Sequence, residues 1–384
     1  MIYRQFGKTG EKVSVLGYGN MRLPVINNQY DHIDRAEAVK LVRYAVERGV
    51  NYLDTSWPYH STSLTEGGDS EPFVGSVLKE IGRDTVFVAT KLPIWLVHER
   101  KDMDAYLDRQ LARLGTDHVD FYLVHNIIRP TWERMVRLGL GEFLDNIRKS
   151  GKVRHVGFSF HDTPALFEEV IDYYDFEFCQ HALNYYDTNF QAGIASMRKA
   201  ARRHMGVIAM EPVMGGMLGD LLPEKAKQVL AATGVQRGPA AWALRWVWDQ
   251  PEITFLLSGM STMAQVEENC RLADEADTPL TAEEMTAYDA VLKLFREQQE
   301  IPCTGCGLCH CQYGISIRDN FLLYNSAKLL DVQYISDKNY SLMLANTGMQ
   351  AEKCNNCGRC DNVCPSGINI PWELRKVARH FSHA

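Results

Sequence analysis

The chain has 384 residues, 46% of them hydrophobic and 23% charged, with a formal net charge of −7. That length holds one large domain and a smaller one, the composition is that of a globular protein with a substantial core, and the acidic balance argues against general nucleic-acid binding. No apolar run is long enough to span a bilayer and the opening MIYRQFGKTG lacks a signal-peptide pattern, so the expected setting is cytoplasmic, with neither membrane nor nucleic acid as partner.

The first element reads as a hairpin, MIYRQFGKTGEKVSVLG, turning at Lys8, Thr9 and Gly10. Short apolar, β-branched runs then recur: VSVLGYG at 13–19, VNYLDTS at 50–56, VFVATKL at 86–92 and VDFYLVH at 119–125. Four more are VRHVGFS at 153–159, FEFCQHALN at 176–184, GVIAMEP at 206–212 and ITFLLSG at 253–259. A helix-like segment follows each. RAEAVKLVRYAVERG and KDMDAYLDRQLARLG show apolar positions three and four apart and a closing glycine. Continuous apolar strands alternating with helices imply parallel strands covered by helices, and eight such units predict a (β/α)8 barrel. Beyond the eighth unit, Thr281 and Glu284 form a capping-box pattern ahead of a helix. The domain boundary is expected near residue 300, giving a barrel over 1–299 and a small domain over 300–384, mostly loop and short helix.

Reacting groups in such barrels sit at the C-terminal ends of the strands. The second run ends in Asp54, with Tyr59 five residues on; the third ends in Lys91 and the fourth in His125. Four ionisable residues at one level suggest proton donation to a carbonyl. A free phenol has a pKa of about 10, and a neighbouring ammonium is expected to lower it. In this reading Asp54 holds Lys91 by a charge-assisted hydrogen bond, while His125 orients the substrate oxygen.

The stretches LGYGNMRLP, NYLDTSWPYH, ATKL, DFYLVHN and VGFSFH resemble the aldo-keto reductases over residues 1–275. The resemblance implies a (β/α)8 barrel, an NAD or NADP cofactor extended over the strand ends, and reversible hydride transfer to a small-molecule carbonyl or alcohol. It assigns the catalytic set to Asp54, Tyr59, Lys91 and His125, with Tyr59 as acid in reduction and base in oxidation. Ser159 and Gln180 would hold the carboxamide; Phe160 stands where the family has Asn, and Met210 where an aromatic often stacks on the nicotinamide. At the adenosine end SGMSTMAQVEEN keeps Ser258, Gly259, Glu268 and Asn269, but Gln265 replaces an Arg that many members place against the 2′-phosphate. No other Arg or Lys lies in that segment, so a preference for NADP is not implied and NAD becomes plausible. The Gly-rich GYGNMR does not open a long helix and reads as close packing at the barrel mouth.

Eight of the ten cysteines lie after residue 302, in CTGCGLCHCQYG at 303–314 and CNNCGRCDNVCPSG at 354–367. In a reducing setting this clustering points to metal rather than disulfides. Cys354, Cys357, Cys360 and Cys364, followed by Pro365, have the spacing of the bacterial ferredoxin run, in which the fourth Cys serves the other cluster. Crossed ligation assigns Cys303, Cys306, Cys309 and Cys364 to one [4Fe-4S] cluster and Cys354, Cys357, Cys360 and Cys311 to a second. Zinc is the main rival. His310 reads as solvent-facing, and the contraction between Cys309 and Cys311 has no explanation in sequence. The tail resembles the ferredoxin-like extension of a subgroup of aldo-keto reductases. Nicotinamide moves two electrons as hydride and clusters move one; with no flavin motif present, the clusters would be structural or serve an external electron-transfer partner. The alternative to an oxidoreductase is a nucleotide-binding redox sensor or electron-transfer protein with little turnover.

Overall fold

The computed structural model describes residues 1–189, 191–330, 333–345 and 347–382. Strands β1 (Tyr3–Gln5) and β2 (Lys12–Ser14) pair antiparallel as the expected hairpin, with Tyr3 opposite Ser14. All eight apolar runs then supply barrel strands: β3 (Leu16–Gly19), β4 (Tyr52–Asp54), β5 (Phe87–Leu92), β6 (Val119–Ile127), β7 (Val153–Phe160), β8 (Phe178–Ala182), β9 (Gly206–Met210) and β10 (Phe255–Ser258). They close in chain order, β10 pairing parallel with both β9 and β3.

The hairpin closes the N-terminal end of the barrel. Phe6 is fully buried and packs among Phe121, Phe178 and Phe255, with ring centroids 5.1–5.2 Å away. Its ring occupies the space beside Gly206, where a Cβ would fall 2.2 Å from a ring carbon. Only glycine admits the plug, so this end is committed to packing and the opposite end is left for chemistry.

The chain divides into two compact units. The first comprises residues 1–183, 192–212 and 244–279 and contains the barrel; the second comprises 184–191, 213–243 and 280–384. The second unit therefore draws on segments well before residue 300. It includes the helix Ala282–Gln298, which starts with the expected capping box: Thr281 Oγ1 accepts from Glu284 N, and Glu284 Oε2 accepts from Thr281 N.

The tail is more regular than the expected loops. Helices Ile317–Leu330, Gln333–Tyr340 and Ile370–His380 dominate it, and its described residues contain no strand. Ile317, Phe321, Tyr324 and Ala327 bury one face of the first helix, and Ile370, Leu374 and Val377 one face of the last. These are three- and four-residue spacings, so the helices form because each has an apolar stripe to cover. Cys303, Cys309, Cys311, Cys354 and Cys364 pack against this core. Among the described residues no helix is long and apolar enough to cross a membrane.

Candidate active site

Parallel register brings the four ionisable residues together. Asp54 pairs with Ala89 and Lys91 with Leu123, so Lys91 lies two residues, hence one same-face step, beyond the partner of Asp54. The Lys91 ammonium has three donors, and each has an acceptor: Asp54 Oδ1 at 2.7 Å, Thr55 O at 2.8 Å and Tyr59 Oη at 3.3 Å. Because Lys91 donates to the phenol oxygen, the phenolic hydrogen is left to point elsewhere. Tyr59 is fixed by the turn after β4, where its N–H donates to Ser56 O at 3.2 Å. Gly68 passes against this turn so closely that a Cβ would lie 2.1 Å from Tyr59 O. Ser56 also positions His125, its Oγ lying 3.0 Å from Nδ1, and the His125 ring stands edge-on to Tyr59 with centroids 6.1 Å apart.

One expectation is reversed. Tyr59 is not pulled below the ordinary phenol value; burial pushes it well above, and the negative charges of Asp54 and Glu211 add to the rise. Burial is the larger cause, because a phenolate here would be cut off from water, and the Asp54 carboxylate repels it as well. The resting tyrosine is thus a held proton. Burial also pushes the Asp54 carboxyl up and the Lys91 ammonium down, and their mutual attraction opposes both shifts. For His125, burial, then Lys91 and His161, hold the ring well below the usual imidazole value, so it works as a neutral hydrogen-bonding group.

The residues expected around the nicotinamide lie on neighbouring strands. Ser159 and Gln180 are direct partners across β7 and β8. Ser159 Oγ accepts from Asn126 N at 2.8 Å, and Gln180 Nε2 reaches Met210 Sδ at 3.6 Å. Gln180 Oε1 is buried with no partner among the described residues. An orphan acceptor at this position fits a carboxamide NH2.

At the other end, Asn269 donates to Ser258 Oγ at 3.0 Å, and Glu268 lies half-buried on the same helix, Met263–Ala273. Gln265 is occupied locally: its Oε1 accepts from Ser261 N at 2.8 Å and Thr262 N at 3.3 Å, capping that helix. The sequence reading missed Arg22. Its stem packs on Gly259, where a Cβ would lie 3.0 Å from Arg22 Cβ, and Ser261 Oγ donates to its carbonyl at 2.6 Å. A cation therefore stands beside the segment 258–269, although none lies within it.

The model of the aldo/keto reductase family matches residues 15–293. The chain belongs to that family. It is 28% identical to L-galactose dehydrogenase of Arabidopsis thaliana, over 76% of this chain and 94% of the relative. With 6-dehydroglucose reductase of Novosphingobium aromaticivorans it shares 32% identity, over 41% of this chain and 51% of that one. The solved holo form of the aldo-keto reductase AKR11C1 from Bacillus halodurans superposes with a TM-score of 0.61 at 22% identity, covering 76% of this chain and 96% of that one; this likeness concerns the barrel fold.

The matched family region ends ten residues before the first clustered cysteine of this aldo/keto reductase. None of the ten cysteines forms a disulfide. Cys303, Cys306, Cys309 and Cys364 line one cavity, joining three residues of the first motif to the last of the second. Burial raises the Cys303 thiol, while the Gly305 backbone and the Arg318 guanidinium pull it down. Among the described residues, no three His, Cys, Asp or Glu side chains are grouped as a metal-ion site.

The two motifs repeat one backbone. Gly305 and Asn356 precede the middle cysteines with φ of 68° and 63°, and Gly307 and Gly358 follow them with φ of 72° and 70°. After the last cysteine of each, Gly314 N donates to Cys311 O and Gly367 N to Cys364 O, both at 3.1 Å. They differ between the third and fourth cysteines, where the second motif inserts the 3-10 turn Asp361–Val363 and the first has only His310. The contraction is the absence of that turn.

Proposed function

We propose that the barrel carries out reversible hydride transfer between a nicotinamide cofactor and a small carbonyl or alcohol, with Tyr59 as the proton donor in reduction and acceptor in oxidation. Hydride is supplied or taken up by the nicotinamide when it is bound. Tyr59 passes its phenolic proton to the carbonyl oxygen as the hydride reaches the carbon, and Lys91 steadies the phenolate left behind. Asp54 holds the ammonium, and neutral His125 orients the substrate oxygen by a hydrogen bond. Ser159 and Gln180 would hold the carboxamide, with Met210 beside the ring. Ser258, Gly259, Glu268 and Asn269 would receive the adenosine end, with Gln265 spent on helix capping and Arg22 supplying positive charge.

The observation that carries this reading is the Lys91 ammonium shared among Asp54, Thr55 and Tyr59, which leaves one phenolic proton free for a substrate. Two relatives are named for hexose-type substrates, so hexoses and their carbonyl derivatives head the panel to test. Nicotinamide absorbance with that panel tests the reading. Turnover that Tyr59→Phe abolishes supports it. Cofactor binding without turnover on any substrate favours a nucleotide-binding redox sensor instead.

For the tail we propose two [4Fe-4S] clusters with crossed ligation: Cys303, Cys306, Cys309 and Cys364 for one, Cys354, Cys357, Cys360 and Cys311 for the other. The shared cavity and the repeated backbone support this. Arg359 donates to Gln312 Oε1, fastening the end of the first motif to the second. The clusters would be structural or would serve an external electron-transfer partner. Anaerobic protein should contain about eight irons per chain if both fill. Cys364→Ser should perturb one cluster and Cys311→Ser the other, as read by low-temperature spectroscopy. Stoichiometric zinc in place of iron overturns the assignment.

A further inference from the structure

The cavity lined by Cys303, Cys306, Cys309 and Cys364 contains a cation with no part in the proton chemistry of Tyr59. Arg318 is the second residue of the helix Ile317–Leu330 and borders the cavity, its side chain only 12% exposed. On one side its Nε donates to Gly305 O at 3.2 Å, within the first cysteine motif. The approach is close: a Cβ at residue 305 would fall 3.1 Å from Arg318 Nε. On the other side Nη1 pairs with Asp319 at 3.1 Å and Nη2 with Asp187.

Asp187 is itself the organiser of the loop 184–189. Its Oδ1 accepts from Asn189 N at 2.9 Å, and its N–H donates to Asn184 Oδ1 at 3.1 Å. That loop is the direct continuation of β8, the strand that bears Gln180. A guanidinium is a planar fork with donors in fixed directions, so the groups gripped at its two ends are held in one geometry. Displacing Gly305 displaces the fork, and with it the carboxylate around which the loop turns.

We infer that Arg318 couples the filling of the first cysteine cavity to the order of the loop 184–189, and through β8 to nicotinamide affinity at Gln180. This rests on the iron-sulfur reading of that cavity. A bound cluster fixes the thiolates of Cys303 and Cys306, which lie either side of Gly305. The Gly305 carbonyl then becomes a firm anchor, and the anionic cluster holds the guanidinium where it also reaches Asp187. Without the cluster, the motif 303–309 loses its common ligand and the Gly305 carbonyl loses the fixed position from which it holds the fork.

The test uses the full-length protein loaded anaerobically with iron, with iron content measured first. Amide hydrogen exchange is followed over 184–189, and nicotinamide affinity by fluorescence titration. Arg318→Gln with its iron retained should exchange faster in this loop and bind nicotinamide more weakly, each by about fivefold or more. Asp187→Asn, which leaves the cavity lining untouched, should do the same, and combining the two should add little. Iron removal from the wild type should mimic both. An iron-replete Arg318→Gln or Asp187→Asn protein with wild-type loop exchange and affinity overturns the coupling and leaves the cluster assignment standing. A chain that takes up no iron overturns both.

Discussion

Lys91 Nζ and Asp54 Oδ1 meet at 2.7 Å with side-chain exposures of 0% and 3%, so neither charge has water to fall back on. Removing one member of such a pair leaves the other uncompensated. Lys91→Met should therefore cost about 3–5 kcal/mol of stability as well as activity. Pairing it with Asp54→Asn should recover part of the stability and none of the turnover. Urea titration of the two variants makes the comparison; a Lys91→Met protein as stable as wild type would mean the pair is not charged in the folded state.

Tyr59→Phe removes the proton and little else, because the turn that holds residue 59 is made by backbone hydrogen bonds. Turnover should fall by about a hundred- to ten-thousand-fold, the usual contribution of a positioned acid. Nicotinamide affinity should stay within a factor of about two, since no hydroxyl contact to the cofactor is invoked. A variant with wild-type turnover on every substrate would remove Tyr59 from the mechanism.

The barrel was legible because parallel strands buried on both faces are continuous apolar runs, and the proposed reacting groups Asp54, Lys91 and His125 were legible because they fall at or near the ends of such runs. What stayed hidden depends on distance through the fold. The Phe6 plug joins the opening hairpin to Phe121, Phe178 and Phe255, and no local pattern announces it. Arg22 meets Gly259 from the far end of the chain. The sign of the Tyr59 shift could not be read from a list of neighbours, because burial in the fold, and not the neighbouring lysine, sets it. In the tail, Ile317, Phe321, Tyr324 and Ala327 carry a helical spacing that is visible in sequence once the eye leaves the cysteines.

Gln265 offers a test of cofactor choice. As it stands, its amide oxygen caps the helix Met263–Ala273 and it has no charge for a 2′-phosphate. The preference for NADPH over NADH should stay below about a hundredfold. Gln265→Arg should shift it toward NADPH by about tenfold or more, since hydrogen bonds to charged groups contribute about 1.5–3 kcal/mol. The lost capping interaction should cost about 1 kcal/mol in unfolding experiments. Titrating both cofactors against both proteins decides; a wild type already selecting NADPH by more than a hundredfold would transfer the phosphate contact to Arg22.

His181 should make the fold sensitive to acid. It is fully buried on β8, neither ring nitrogen has a partner among the described residues, and burial pushes its pKa from 6.5 down to about 3. His125 is held well below its usual value for the same first reason. In the unfolded chain both rings take up a proton near pH 6.5; in the native state they refuse it. The unfolded state then binds more protons, so stability falls as pH falls. This contribution is fully present above the unfolded pKa of 6.5 and is lost progressively as pH drops toward the folded value of about 3 for His181. Asp54 and Glu71 act oppositely, because burial raises their carboxyls and they gain protons on folding. The ordinary imidazole value of 6.5, at which both rings gain a proton in the unfolded chain, lies inside the range from about pH 5 to pH 7.5. Urea midpoints measured between about pH 5 and pH 7.5 should therefore decline toward acid in the wild type, and His181→Leu should flatten that decline by about one proton's worth of slope. If His181→Leu keeps the full wild-type dependence, the ring is hydrated or paired in solution and its burial does not set the acid limit of the fold.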